Sequence, residues 1–155
     1  MNSTTTIPWD RAEPFIYTTS ATIHDIDSYQ HVNNSVYIRW LDECARAHSK
    51  LLGVDTDSAK ELGYGMAVRE SQVTYLAAAY SGDAVMVGTW LIENDGKLRA
   101  KRQFHIIRAS DNTTIVRAVL EYVCFNIETG RPCKMPALFR ERYAISSPES
   151  SMPKR

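Results

Sequence analysis

The sequence contains only three cysteines, Cys44, Cys124 and Cys133. They are odd in number and show no C-x-x-C spacing, which argues against a disulfide framework or a zinc knuckle and points to reduced thiols. Neither sign of charge is in excess, with Lys plus Arg and Asp plus Glu at 18 each. That balance excludes a generally basic protein, and no nucleic-acid partner is expected. No apolar run is long enough to span a bilayer, and the polar stretch Met1 to Arg11 lacks the apolar core of a secretion signal. The expectation is a cytoplasmic protein with no membrane partner. Also missing are an H-E-x-x-H or comparable metal spacing, a calcium-loop pattern, a G-x-S-x-G nucleophile setting and any internal repeat. No metal is expected.

What is present suits one ordinary domain: 155 residues, 44% hydrophobic and 23% charged. A chain of this size buries roughly 68–70% of its unfolded surface, enough for a core without staples. The Ser/Thr-rich start and the Ser/Pro-rich end frame it, so residues 1–14 and 144–155 are expected to be flexible segments around a domain at 15–143.

Within that domain the periodicity changes once and changes back. Phe15, Tyr17, Thr19, Ala21 and Ile23 alternate, as in a strand with one buried face. Val36, Tyr37, Trp40, Leu41, Cys44, Ala45, His48, Leu51 and Leu52 then recur at helical spacing, with Asn33 or Asn34 as N-cap and Gly53 as stop. A polar loop is expected from Asp55 to Gly63. Strands are expected over 68–76, 84–93, 97–108 and 114–127, with Asn94-Asp95-Gly96 as a hairpin turn. The last of these is apolar on both faces and belongs inside a sheet. The pattern is α+β: a five-stranded antiparallel sheet and one long helix along its face.

The chemistry is concentrated between the first strand and the helix. His24-Asp25-Ile26-Asp27-Ser28-Tyr29-Gln30-His31-Val32-Asn33-Asn34 brings carboxylates, imidazoles and amides together before a helix N-terminus, where free N–H groups point outward. Aspartates in that position also serve as turn and capping residues. Cys44 lies on the apolar side of the helix and suits a core position.

The run Asp25-x-Asp27-x-Tyr29-x-His31-Val32-Asn33-Asn34-x-x-Tyr37 resembles the signature of the 4-hydroxybenzoyl-CoA thioesterase-like branch of the hot-dog superfamily. Ile38-Arg39-Trp40-Leu41-Asp42-Glu43-Cys44-Ala45-Arg46 resembles its central helix. Val73-Thr74-Tyr75-Leu76 followed by Gly82-Asp83 is similar to its second-strand pattern. The likeness runs from about Phe15 to Ala137. It implies a hot-dog fold, in which the sheet wraps the long helix, and a homodimer or dimer of dimers joined sheet edge to sheet edge. Active sites would lie at the subunit interface. It also implies thioester hydrolysis, with acyl-CoA as substrate and without a cofactor. Asp27 falls at the catalytic acidic position, Asn34 where a backbone N–H polarises the thioester carbonyl, and His31 where plant acyl-ACP thioesterases place a histidine. The chain departs from the plant pattern at Tyr29, where asparagine is usual, and at Ala78 and Ala79, where a Glu-Cys pair is usual. Asp27 could act as nucleophile or as general base. Acyl-ACP hydrolysis and a non-catalytic acyl-thioester-binding module remain alternatives. Arg99, Lys101, Arg102, Arg131 and Lys134 are candidates to meet the phosphates of coenzyme A.

Overall fold

The computed structural model describes residues 6–146. The alternating start forms β1 (Phe15–Ser20), which ends sooner than its pattern suggests because a 3-10 turn, Ile23–Asp25, replaces its last residues. In that turn Ile23 stays exposed, while Asp25 folds inward and accepts the Thr22 N–H at 2.8 Å.

The helix α1 (Asn34–Leu51) begins at Asn33, whose side-chain oxygen accepts the Ser35 N–H at 3.0 Å. Val36, Tyr37, Trp40, Leu41, Cys44, Ala45 and His48 form its buried stripe, whereas Leu51 at its end is exposed. Gly53 follows at φ 79°, a left-handed conformation in which a side chain would be strained.

Residues 55–63 are not a loop. They hold α2 (Thr56–Leu62), in which the Asp55 carboxylate accepts the Ser58 N–H and Gly63 stops the helix at φ 84°. The segment is too short and too polar to show an apolar period, so only its capping residues mark it.

Strands β2 (Tyr64–Tyr75), β3 (Ala84–Asn94), β4 (Arg99–Arg108) and β5 (Thr114–Asn126) complete one antiparallel sheet in the order β1-β3-β4-β5-β2. In the β3–β4 hairpin, Asp95 Oδ1 accepts the N–H groups of Lys97, Leu98 and Arg99. β5 lies between β4 and β2, in keeping with its two apolar faces. The stripe of α1 packs on Val85, Val87, Phe104, Ile106, Val116 and Leu120. Each large apolar side chain buried there contributes on the order of 1.5–3 kcal/mol. A smaller core gathers Val54, Leu91, Ala100 and Cys124 under a helix the periodicity did not announce, α3 (Ala137–Arg142), through Phe139.

The residues before β1 lie against the sheet. Trp9 meets Trp90 and His105 edge-on, Asp10 pairs with Arg117 at 2.8 Å, and Trp90 Nε1 donates to the Ala12 carbonyl. Gly88 makes this possible, since a Cβ there would come within 2.6 Å of the Trp9 ring. At the other end Ser146 is tied to Leu91 through backbone and side chain. The composition of these end segments gave no sign of such contacts.

Candidate active site

The loop joining β1 to α1 is a miniature hairpin. Ile26 and Val32 form an antiparallel bridge, Asp27 N–H donates to the His31 carbonyl at 2.8 Å, and Asn33 N–H donates to the Asp25 carbonyl at 2.8 Å. Gln30 takes the left-handed turn position, φ 66°, and donates its N–H to the Asp27 carbonyl.

Asp25 and Asp27 have different surroundings. Asp25 is 6% exposed and receives Thr22 on one carboxylate oxygen and the Arg39 guanidinium, at 3.0 Å, on the other. Burial pushes its pKa up, but the Thr22 and Arg39 hydrogen bonds and the Arg39 charge outweigh it and hold the carboxyl below its ordinary value. Arg39 continues to Glu43, which accepts the Tyr17 hydroxyl at 2.7 Å, so loop, helix and β1 share one polar chain. Asp25 is thus a structural anchor. Asp27 is half-buried and accepts the N–H groups of Tyr29 at 2.9 Å and His31 at 3.2 Å, both on Oδ1. Its Oδ2 has no protein partner among the described residues.

His31 contacts Asp27 through its backbone, and its ring stands edge-on against Tyr80, with centroids 5.3 Å apart. Asn34 is the first residue of α1. With the Asn33 side chain committed to Ser35, the Asn34 N–H is one of the helix-start donors without an intrahelical acceptor.

Beneath the loop runs the strap after β2. The Ala79 carbonyl accepts the Val32 N–H, and the Ala79 N–H donates to the Tyr37 hydroxyl oxygen, each at 2.9 Å. Arg108 holds the strap through the Ala78 carbonyl. Ala78 and Ala79, conspicuous in sequence for lacking side-chain chemistry, therefore work through their main chain. Tyr37 is the group that residue-by-residue reasoning passed over as part of the apolar stripe. Burial raises its pKa and the negative charge of Asp27 adds to the rise, so the phenol keeps a proton near Asp27.

Cys44 is buried, with its thiol pushed up to about 12, which suits a core residue. Among the basic candidates, Arg99 pairs with Glu121 and Lys101 with Glu93, while Arg102 is buried. Trp40 and Trp90 are core residues. Met66 lines a cavity of about 410 Å³ beside the C-terminal half of α1. At about 1.5 Å per residue, Ser49 on that cavity's wall lies roughly 22 Å along the helix from Asn34, so within one chain the cavity and the loop are separate places.

The sequence model of the thioesterase-like superfamily matches residues 21–143. Solved structures share the fold. A 1,4-dihydroxy-2-naphthoyl-CoA thioesterase from Synechocystis superposes with TM-score 0.76 at 15% identity, over 91% of this chain and 100% of that one. A Staphylococcus aureus protein in complex with CoA gives 0.80 at 20% identity, over 92% and 90%. A DHNA-CoA thioesterase from the same organism gives 0.75 at 19%, over 83% and 87%. The chain belongs to the thioesterase-like superfamily, as a thioester hydrolase on a hot-dog fold.

Proposed function

We propose that the protein hydrolyses an acyl-CoA thioester to the free acid and coenzyme A, with Asp27 as the acting carboxylate. The observation that carries this reading is the placement of Asp27: one carboxylate oxygen is fixed by two backbone N–H groups and the other has no protein partner among the described residues. A thiol of pKa about 8.5 leaves readily, so the demands fall on attack at the carbonyl and on the charge that builds on its oxygen. The free Oδ2 can attack directly, breaking the C–S bond to release the coenzyme A thiolate and forming a mixed anhydride that water then cleaves to the free acid. Alternatively, it can take a proton from the water that attacks the thioester carbonyl. The Asn34 N–H, aided by the dipole of α1, supplies the donor for the oxyanion. His31 shapes the loop and faces Tyr80. Coenzyme A as the carrier is supported by the superfamily and by the CoA complex of the Staphylococcus aureus neighbour.

The same reading includes a homodimer, because β2 is a 12-residue edge strand whose Val68 and Tyr75 are exposed. Steady-state hydrolysis across short, long and aromatic acyl-CoAs tests the activity, with acyl carrier protein esters as a comparison. Turnover of none of the CoA esters would end this reading. A sedimentation run showing an active monomer would remove the dimer from it.

A further inference from the structure

The cavity beside the far half of α1 holds a charge that the proposed hydrolysis at Asp27 does not use. Arg102 on β4 is 3% exposed and forms part of the wall, yet no carboxylate pairs with it among the described residues. Its contacts are neutral: Nη1 lies 2.6 Å from His48 Nδ1, Nη2 donates to Ser49 Oγ at 3.1 Å, and the guanidinium sits over Tyr143 and Tyr122 at 5.6 and 6.0 Å. Burial, and next the Arg102 charge, bring His48 down to about 4, so at neutral pH it offers an acceptor and no counter-charge. A guanidinium carries five N–H donors, and these contacts use two.

The remaining charges of the wall do not reach it. Asp42 is exposed and tied to Arg46 at 2.8 Å, and the Asp55 carboxylate caps α2. A cation withdrawn from water this far is left without its hydration unless an anion meets it. Beside Arg102 the wall is apolar at Met66, Leu91, Ala100 and Phe139, while Arg46, Lys50 and Asp57 line it from exposed positions. A partly apolar cavity of about 410 Å³ whose wall holds one buried cation, Arg102, matches a ligand that is apolar at one end and anionic at the other.

We propose that this cavity binds a small organic acid, with the Arg102 guanidinium receiving the carboxylate and Met66, Leu91, Ala100 and Phe139 enclosing the apolar body. Such a carboxylate has two sources in a thioester hydrolase: the free acid released, or a second carboxylate at the far end of an acyl group held at the loop of the other subunit of the proposed dimer, since the loop of the same chain lies too far along α1. Only this question of source rests on the hydrolysis reading; the binding itself does not.

The binding test uses the full-length wild-type chain with hexanoate and benzoate against their uncharged isosteres, hexanamide and benzamide. The acids should bind at least tenfold more tightly than the amides by calorimetry and should shift the Arg102 Nε–H resonance. Arg102→Gln should erase that advantage. Equal binding of acid and amide, binding of neither, or an acid preference that persists in Arg102→Gln overturns the site. If Arg102→Gln does not fold, the wild-type acid–amide comparison and the Arg102 resonance decide alone. For the source, adipoyl-CoA is compared with hexanoyl-CoA. A preference for adipoyl-CoA identifies the distal carboxylate, and hexanoate inhibition without that preference identifies the released acid. A chain that hydrolyses no CoA ester but still prefers acids to amides keeps the site and loses only the proposed activity.

Discussion

His31 and Asp27 are joined through the main chain: the His31 N–H donates to Asp27 Oδ1 at 3.2 Å, and the Asp27 N–H donates to the His31 carbonyl at 2.8 Å. The imidazole points elsewhere, against Tyr80. The backbone of residue 31 thus holds the carboxylate, and any residue with an N–H can do that. Side-chain and backbone contributions are separable by substitution.

His31→Ala keeps that backbone bond and removes the ring. Turnover should fall by less than about 10², the lower bound for loss of a proton-transferring group. A kcat measurement showing a larger loss would return the imidazole to the chemistry. His31→Pro, which lacks the N–H, should be the more damaging of the two.

Tyr37→Phe leaves the buried Ala79 N–H without its 2.9 Å acceptor. An orphaned buried donor costs about 1–3 kcal/mol, so the melting temperature should drop measurably. Because the Ala79 carbonyl also holds Val32, kcat should fall along with stability. An unchanged melting curve would show that water or backbone movement replaces the phenol.

His48 gives a pH signature of the folded state. Its pKa is lowered from 6.5 to about 4 by burial and by the Arg102 charge. Between these values the unfolded chain binds the proton and the folded chain resists it, so stability declines as pH falls from 6.5 towards 4. His48→Gln, which retains an acceptor for Arg102, should flatten that part of the melting-temperature profile relative to wild type. Parallel profiles would mean that His48 becomes protonated without cost in the fold.

The fold was legible where burial imposes a period. The α1 stripe from Val36 to His48 and the alternating strands follow directly from residue spacing, because one face must leave water. α2 and α3 are short, and their positions depend on caps and on the pocket beneath Phe139, which no local pattern reports. In the loop, Asp27 and Asn34 were marked by the resemblance of the motif to the thioesterase signature, not by residue spacing. The partner that anchors Asp25 was not legible, because Arg39 lies fourteen residues further along the chain. The Arg102–His48 contact joins residues 54 apart in sequence and is likewise invisible to spacing.

Asp27→Asn is the decisive substitution because of how Asp27 is held. Oδ1 accepts from Tyr29 and His31, and an asparagine can present its one carbonyl oxygen to both N–H groups. The loop should therefore keep its shape while Oδ2, the oxygen without a protein partner among the described residues, becomes an amide nitrogen. A neutral amide neither attacks a thioester readily nor accepts a proton from water. Turnover should fall by roughly 10²–10⁴ if Asp27 is the base, and further if it is the nucleophile. KM should move less than kcat, since the group lost acts in the transition state. Asp27→Ala provides the contrast. It deletes both backbone bonds, each worth about 0.5–1.5 kcal/mol, and should lower the melting temperature as well as the rate. If Asp27 only caps a turn, the order reverses: alanine is unstable, asparagine is stable, and both hydrolyse in proportion to the folded protein present. Rates normalised to folded protein separate the two cases. An asparagine variant with near-normal kcat would remove Asp27 from the reaction and leave it as the clasp of the loop.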